Sequence, residues 1–196
     1  MFEKIFINNK VYNKIMEAED ILIDLRKLSP QKEITTCELM EILKKYAGII
    51  SVYDLMLASA HMRKDGEFVH AKYREKYLEI YIKYFIMRMK EVLENDGYNK
   101  KTIDKETFDE CFPLLERTFE SEKISPDGKF PLIYVITSLY TTFILEEPIH
   151  PVGSEFPGSL KVEERNGIFY CPVKENQDDN PNAICHLCLA EQTPDI

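Results

Sequence analysis

The chain has 196 residues, 44% of them hydrophobic and 30% charged, with a formal net charge of −9. That length suits one domain, or one domain with an appendage, and the acidity argues against general binding to a phosphate backbone. Seven glycines and no tryptophan leave few tight turns, which favours helices over a many-stranded sheet.

Met1 to Lys10 lacks the apolar run of a signal peptide, so a cytoplasmic setting is expected. Val11, Ile15, Ala18, Leu22 and Leu25 repeat at helical spacing and share one face. Ser29-Pro30 ends that helix. Thr35 and Glu38 have capping-box spacing and open a second helix with Leu39, Leu43 and Tyr46 inward, stopped at Gly48. Ser51 opens a third, carrying Leu55, Ala58 and Met62 and ending near Asp65-Gly66. A long helix follows from about Val69 to Glu94; its middle, Tyr77 to Met89, is apolar nearly all round and predicts a helix at the centre of a bundle. Asp104 or Thr107 starts the next, through Phe108, Phe112, Leu115 and Phe119, and Pro113 should kink or split it. Ser125-Pro126-Asp127-Gly128 reads as a turn. Pro131 suits the first position of a helix running to about Leu145. The stretch Pro131–Leu145 is the longest apolar one, 15 residues with three Thr and one Ser, short of the roughly 20 that span a membrane. It predicts a buried helix and no membrane partner.

The character changes at Pro148. Pro148, Pro151, Gly153, Pro157 and Gly158 exclude helix interiors. Leu160–Glu163 alternates, Asn166-Gly167 marks a hairpin turn and Ile168–Tyr170 returns, so a two-stranded ribbon delivers Cys171. Asn180-Pro181-Asn182 caps a short final helix carrying Cys185 and Cys188. From His150 onward eight acidic and three basic residues give a net of −5, more than half of the whole charge. The expected fold is mainly α: a bundle of about six helices over 1–147, with a small metal-bound β-hairpin plus short helix over 148–196.

The five cysteines divide into two scattered ones, Cys37 and Cys111, read as core residues, and three clustered ones. An odd, clustered set without a secretion signal argues for a metal rather than disulfides. Cys185-His186-Leu187-Cys188 has a zinc-knuckle gap, and Cys171 arrives from 14 residues upstream. Structural Zn²⁺ takes four tetrahedral sulfur or nitrogen ligands, so Cys171, Cys185 and Cys188 need one histidine, His150 or His186. His186 follows Cys185 directly, so it is turned about 100° away if helical. His150 ties the ribbon to the last bundle helix and is the expected ligand. An iron–sulfur cluster is the alternative, and Cys111, some 60 residues before Cys171, is its only evident fourth thiolate.

The segments His150-Pro151-Val152-Gly153, Phe156-Pro157-Gly158, Cys171-Pro172-Val173-Lys174, Cys185-x-x-Cys188 and Ala190-Glu191-Gln192 resemble an archaeal protein family of unknown function, found largely in methanogens. The resemblance implies an archaeal cytoplasmic protein and supplies no substrate, partner or activity. None of His61, His70, His150 or His186 has Glu two places on, as zinc deaminases require. His-Glu-x-x-His, Gly-x-Ser-x-Gly and phosphate loops are also missing from the sequence. His61 and His70 flank a turn but read as surface or helix-end residues. The clustered tyrosines read as core with wet tips, and Glu146-Glu147 and Asp178-Asp179 as solvated faces. Two functional readings remain: a binding module for an unidentified protein or small molecule, shaped by a metal-clipped tail, or an enzyme with its site in the helical body under that tail.

Overall fold

The structure is a computed structural model and describes residues 20–65, 70–122, 129–179 and 183–194. The expectations for Val11, Ile15, Ala18, Gly66, Val69, Ser125–Gly128 and Asn180–Asn182 lie outside the described residues. The mainly helical class holds. Helix α1 (20–26) precedes β1 (Ile34–Thr35), α2 (Thr36–Ala47), α3 (Val52–Asp65), α4 (Ala71–Glu94) and β2 (Thr102–Ile103). Then come α5 (Lys105–Glu110), α6 (Phe112–Glu122) and α7 (Phe130–Leu139), which passes into a π-helical turn at Tyr140–Leu145.

Local chemistry sets most boundaries. The Thr35 hydroxyl accepts the Glu38 N–H while the Glu38 carboxylate accepts the Thr35 N–H at 2.9 Å, closing the capping box of α2. Ser51 and Asp54 do the same for α3: Ser51 N–H donates to Asp54 at 2.8 Å and Asp54 N–H to the Ser51 hydroxyl at 3.2 Å. The Asp104 carboxylate accepts the Thr107 N–H at 2.8 Å and starts α5. Pro113 sits in the first turn of α6, and the chain breaks at Cys111 between α5 and α6, because proline has no N–H to continue the ladder. Pro131 is the second residue of α7, one place later than its spacing suggests, since the cap is Lys129.

The bundle is centred on α7, not on α4. Ile133, Val135, Ile136 and Leu139 are fully buried, and α7 packs against α2, α3, α4 and α6. Helix α4 instead buries one stripe, Leu78, Ile82, Phe85, Met89 and Val92, while Ile86 and Met87 are exposed. Its apolar middle is threaded by the exposed Glu79 and Lys83, whose charges keep one face at water. No charged residue lies between Phe130 and Leu145, so that stretch can be enclosed on every side. A feature without a sequence signal is the antiparallel pair β1–β2, with Ile34 opposite Ile103. The Thr36 hydroxyl donates to Asn99 O at 2.9 Å and accepts the Lys101 N–H at 3.0 Å beside it.

Beyond the bundle the chain forms β3 (Glu155–Phe156), β4 (Leu160–Lys161), β5 (Glu163–Arg165), β6 (Ile168–Cys171) and β7 (Glu191–Gln192). The expected two-stranded ribbon is therefore incomplete. The hairpin β5–β6 turns at Asn166 and Gly167, both with positive φ, as a type I′ turn demands. Strand β7 then adds to β6 in parallel, with Cys171 opposite Gln192, and β3–β4 makes a second small hairpin. The segment expected as a short helix is a 3₁₀ turn at Ile184–Leu187, with Cys188 already extended. Four residues sustain 3₁₀ geometry more readily than an α-helix.

Candidate metal centre

Three separate segments deliver the thiols and the imidazole. Cys171 is the last residue of β6, Cys185 lies within the 3₁₀ turn and Cys188 directly follows it, and His150 follows the last bundle helix. His150, Cys171, Cys185 and Cys188 all line one narrow cavity, together with Ile149, Val162, Lys174 and Ala190. Among the described residues, no group of three or more His, Cys, Asp or Glu side chains is arranged so that it could hold a metal ion. The four side chains thus share a cavity without being drawn into a coordination set.

The sulfurs face donors. Cys188 Sγ accepts the Ile149 N–H at 3.4 Å, and Cys171 Sγ accepts the Val173 N–H. Burial raises the Cys171 thiol, and burial followed by the proximity of Cys188 and Cys171 raises Cys185 to about 11. These thiols are protonated at neutral pH unless a cation joins them. His150 packs at a tilt against Tyr81 of α4 at 4.9 Å and meets Phe156 edge-on at 5.5 Å. Burial drives its pKa down to about 4, so it is the neutral imidazole that metals bind. His186 is exposed and does not line the cavity.

The other sequence candidates go elsewhere. Cys111 is buried in the bundle, where its thiol donates to Phe108 O at 2.8 Å, and Cys37 is half-buried in α2. His61 packs on Phe130 at 4.4 Å, and the His70 ring accepts the Lys72 N–H at the start of α4. Asp178 and Asp179 are exposed as expected, but the pair Glu146-Glu147 is not merely solvated: Glu146 pairs with Lys101 at 2.7 Å and Glu147 with the half-buried Arg88. A second cavity lies between α4 and α7, lined by Tyr81, Tyr84, Arg88, Tyr134, Thr137, Ser138 and Thr141. Its hydroxyls on Thr137, Ser138 and Thr141 donate to carbonyls of their own helix, and Arg88 is held by Glu91 and Glu147.

Sequence reasoning passed over Lys174, Thr142 and Gln192. Lys174 Nζ donates to Cys185 O and, at 2.8 Å, to Cys188 O. The Thr142 hydroxyl, in the π turn, donates to Leu187 O at 3.1 Å. Gln192 accepts the Glu175 N–H at 3.0 Å and donates to Pro172 O at 3.4 Å. Lys174 and Gln192 stand among the motif residues, but which carbonyls they reach depends on loop closure. None of the helices among the described residues is long and apolar enough to cross a membrane.

Residues 35–193, including every residue of the cavity, match the family described as an uncharacterized protein conserved in archaea (DUF2115). A UPF0305 protein of Methanothermobacter thermautotrophicus is 31% identical over 163 residues, 83% of this chain and 99% of the relative. A second UPF0305 protein of that organism is 34% identical over 156 residues, 80% and 95% of the two chains. The UPF0305 protein MJ0646 of Methanocaldococcus jannaschii is 30% identical over 161 residues, 81% and 97%. No solved structure matches the chain. With a family match over most of its length and methanogen relatives that it covers almost end to end, the chain belongs to this uncharacterised archaeal family.

Proposed function

We propose that His150, Cys171, Cys185 and Cys188 hold one structural Zn²⁺ that clips a C-terminal unit, 148–196, onto a helical body, 1–147. The observation that carries the reading is that four soft or borderline donors from three separate segments line a single cavity. The donor set fits the ion: three sulfurs and a neutral imidazole complete a tetrahedron, and Asp and Glu are absent from the described residues lining the cavity. Binding requires the side chains to move inward from their present positions. Such a coordination set leaves no open position for substrate, so the site is structural rather than catalytic. An iron–sulfur cluster lacks its fourth thiolate here, since Cys111 is committed to the bundle core.

A role in interaction is favoured over catalysis. In the second cavity the Thr137, Ser138 and Thr141 hydroxyls and the Arg88 guanidinium are engaged within the bundle, whereas Val52, Tyr53 and Met56 at the start of α3 are 75%, 67% and 65% exposed. Contiguous exposed apolar side chains mark contact surfaces. Elemental analysis of protein purified anaerobically, without added metal, tests the site. About one zinc per chain is expected; stoichiometric iron with labile sulfide overturns the reading. Under a competing chelator, His150→Ala should lose zinc and His186→Ala should keep it, and the reverse result removes His150 from the ligand set.

A further inference from the structure

We infer that Lys174 is a positioning residue for this site, fixing the paired cysteines and offsetting the charge of the loaded centre; the inference rests on the zinc reading above. Lys174 lies three residues after Cys171 and lines the cavity. Its ammonium donates to the carbonyls of both Cys185 and Cys188. One side chain from the β6 end therefore grips the two peptide groups that carry the other two sulfurs. The Thr142 hydroxyl holds Leu187 O, and Cys188 N–H donates to Cys185 O at 3.1 Å, so these carbonyls of the turn are engaged before any ion arrives. Outer partners of this kind orient ligands and commonly tune metal affinity by about 10–100-fold.

Charge gives the lysine a second role. Zn²⁺ with three thiolates and a neutral imidazole carries one net negative charge. Among the described residues lining the cavity, Lys174 alone carries a fixed charge, and it has the opposite sign. In a narrow, partly buried cavity such a pairing is worth more than at the surface. An exposed lysine with the same hydrogen bonds would not supply it.

The test titrates zinc against a chromophoric chelator for the wild type, Lys174→Met, Lys174→Gln and Lys174→Arg, and records visible spectra of the Co²⁺-loaded proteins. Lys174→Met should bind zinc about 10–100-fold more weakly, with altered Co²⁺ ligand-field bands and an unchanged far-ultraviolet helix signal. Lys174→Arg, which keeps the charge and the donors, should recover most of the affinity; Lys174→Gln, which keeps donors alone, should not. Wild-type affinity and spectrum in Lys174→Met overturn the inference and leave the metal site standing. Wild-type affinity in Lys174→Gln overturns the charge role. A wild type that binds no zinc overturns the site and the inference together.

Discussion

The helical region buries Leu25, Ile34, Leu39, Met40, Leu43, Val92, Phe108, Ile133, Ile136 and Leu139 almost completely in one cluster, whereas the described residues of 148–194 bury Phe156, Val162, Cys171 and Ala190 in theirs. The first region is held by apolar area, which is non-directional and spread over many contacts. The second is held by particulars: positive-φ turns at Gly153, Gly158 and Asn166-Gly167, side-chain hydrogen bonds to backbone from Lys174 and Gln192, and a few attachments to the helices. Those attachments include the tilted ring contact of His150 with Tyr81, the 2.7 Å ion pair of Lys76 with Glu155, the Thr142 bond to Leu187 O, and Leu187 itself, which is buried in the bundle's cluster. A segment with so small a core has little to offset its ordering entropy. Each directional contact there matters individually, and a metal at its centre would matter most.

This contrast can be broken at several points. The largest effect is expected in α7, where Leu139→Ala should cost about 2–5 kcal/mol in denaturant unfolding, because the central helix cannot collapse onto the void. A loss below about 1 kcal/mol would mean that α7 is not the common packing partner. Next is Cys188→Ser, which removes a proposed thiolate ligand and replaces the sulfur that accepts the Ile149 N–H. It should abolish tight zinc binding and speed proteolysis after about residue 148 while the helix signal persists. Cooperative loss of helix in that variant would show that the two regions unfold as one. The smallest effect concerns the surface of the body. Asp24 accepts from Lys27 and Lys45, each at 2.6 Å, and from the Tyr46 hydroxyl at 2.9 Å. The two ammonium groups and then the phenol hold its carboxyl far below the usual value of 3.8, against the opposing effect of burial. Because the folded pKa is depressed, this contribution is complete above the usual value and fades as pH falls below it. Asp24→Asn should therefore cost only about 1 kcal/mol at pH 7, and the difference from wild type should shrink in acid. A difference that grows in acid would reverse the sign of the linkage.

The caps of α2 and α3, the break at Pro113 and the Asn166-Gly167 hairpin were all legible along the chain, because each depends on residues within four positions of one another, and the buried run after Pro131 was legible because it is continuous and uncharged. The misreading of α4 has the same origin in reverse: its apolar middle says how much surface wants burial, and only the neighbours decide which helix is enclosed. Pairing β1 with β2 across some 68 positions, and adding β7 beside β6 in parallel, left no periodic trace, since a two-residue strand is too short to show one.

The candidate site divides along the same line. Cysteine spacing grouped Cys171, Cys185 and Cys188, and the fold brings them to one cavity, though no group of three metal-holding side chains is arranged for coordination among the described residues. That His150 rather than His186 lines their cavity, and that Lys174 and Thr142 hold the turn between them, was decided by tertiary structure. Those relations depend on the π turn after α7, the 3₁₀ geometry at Ile184–Leu187 and the packing of His150 against Tyr81. They are products of long-range packing, where loop closure and burial choose among side chains that local spacing leaves equivalent.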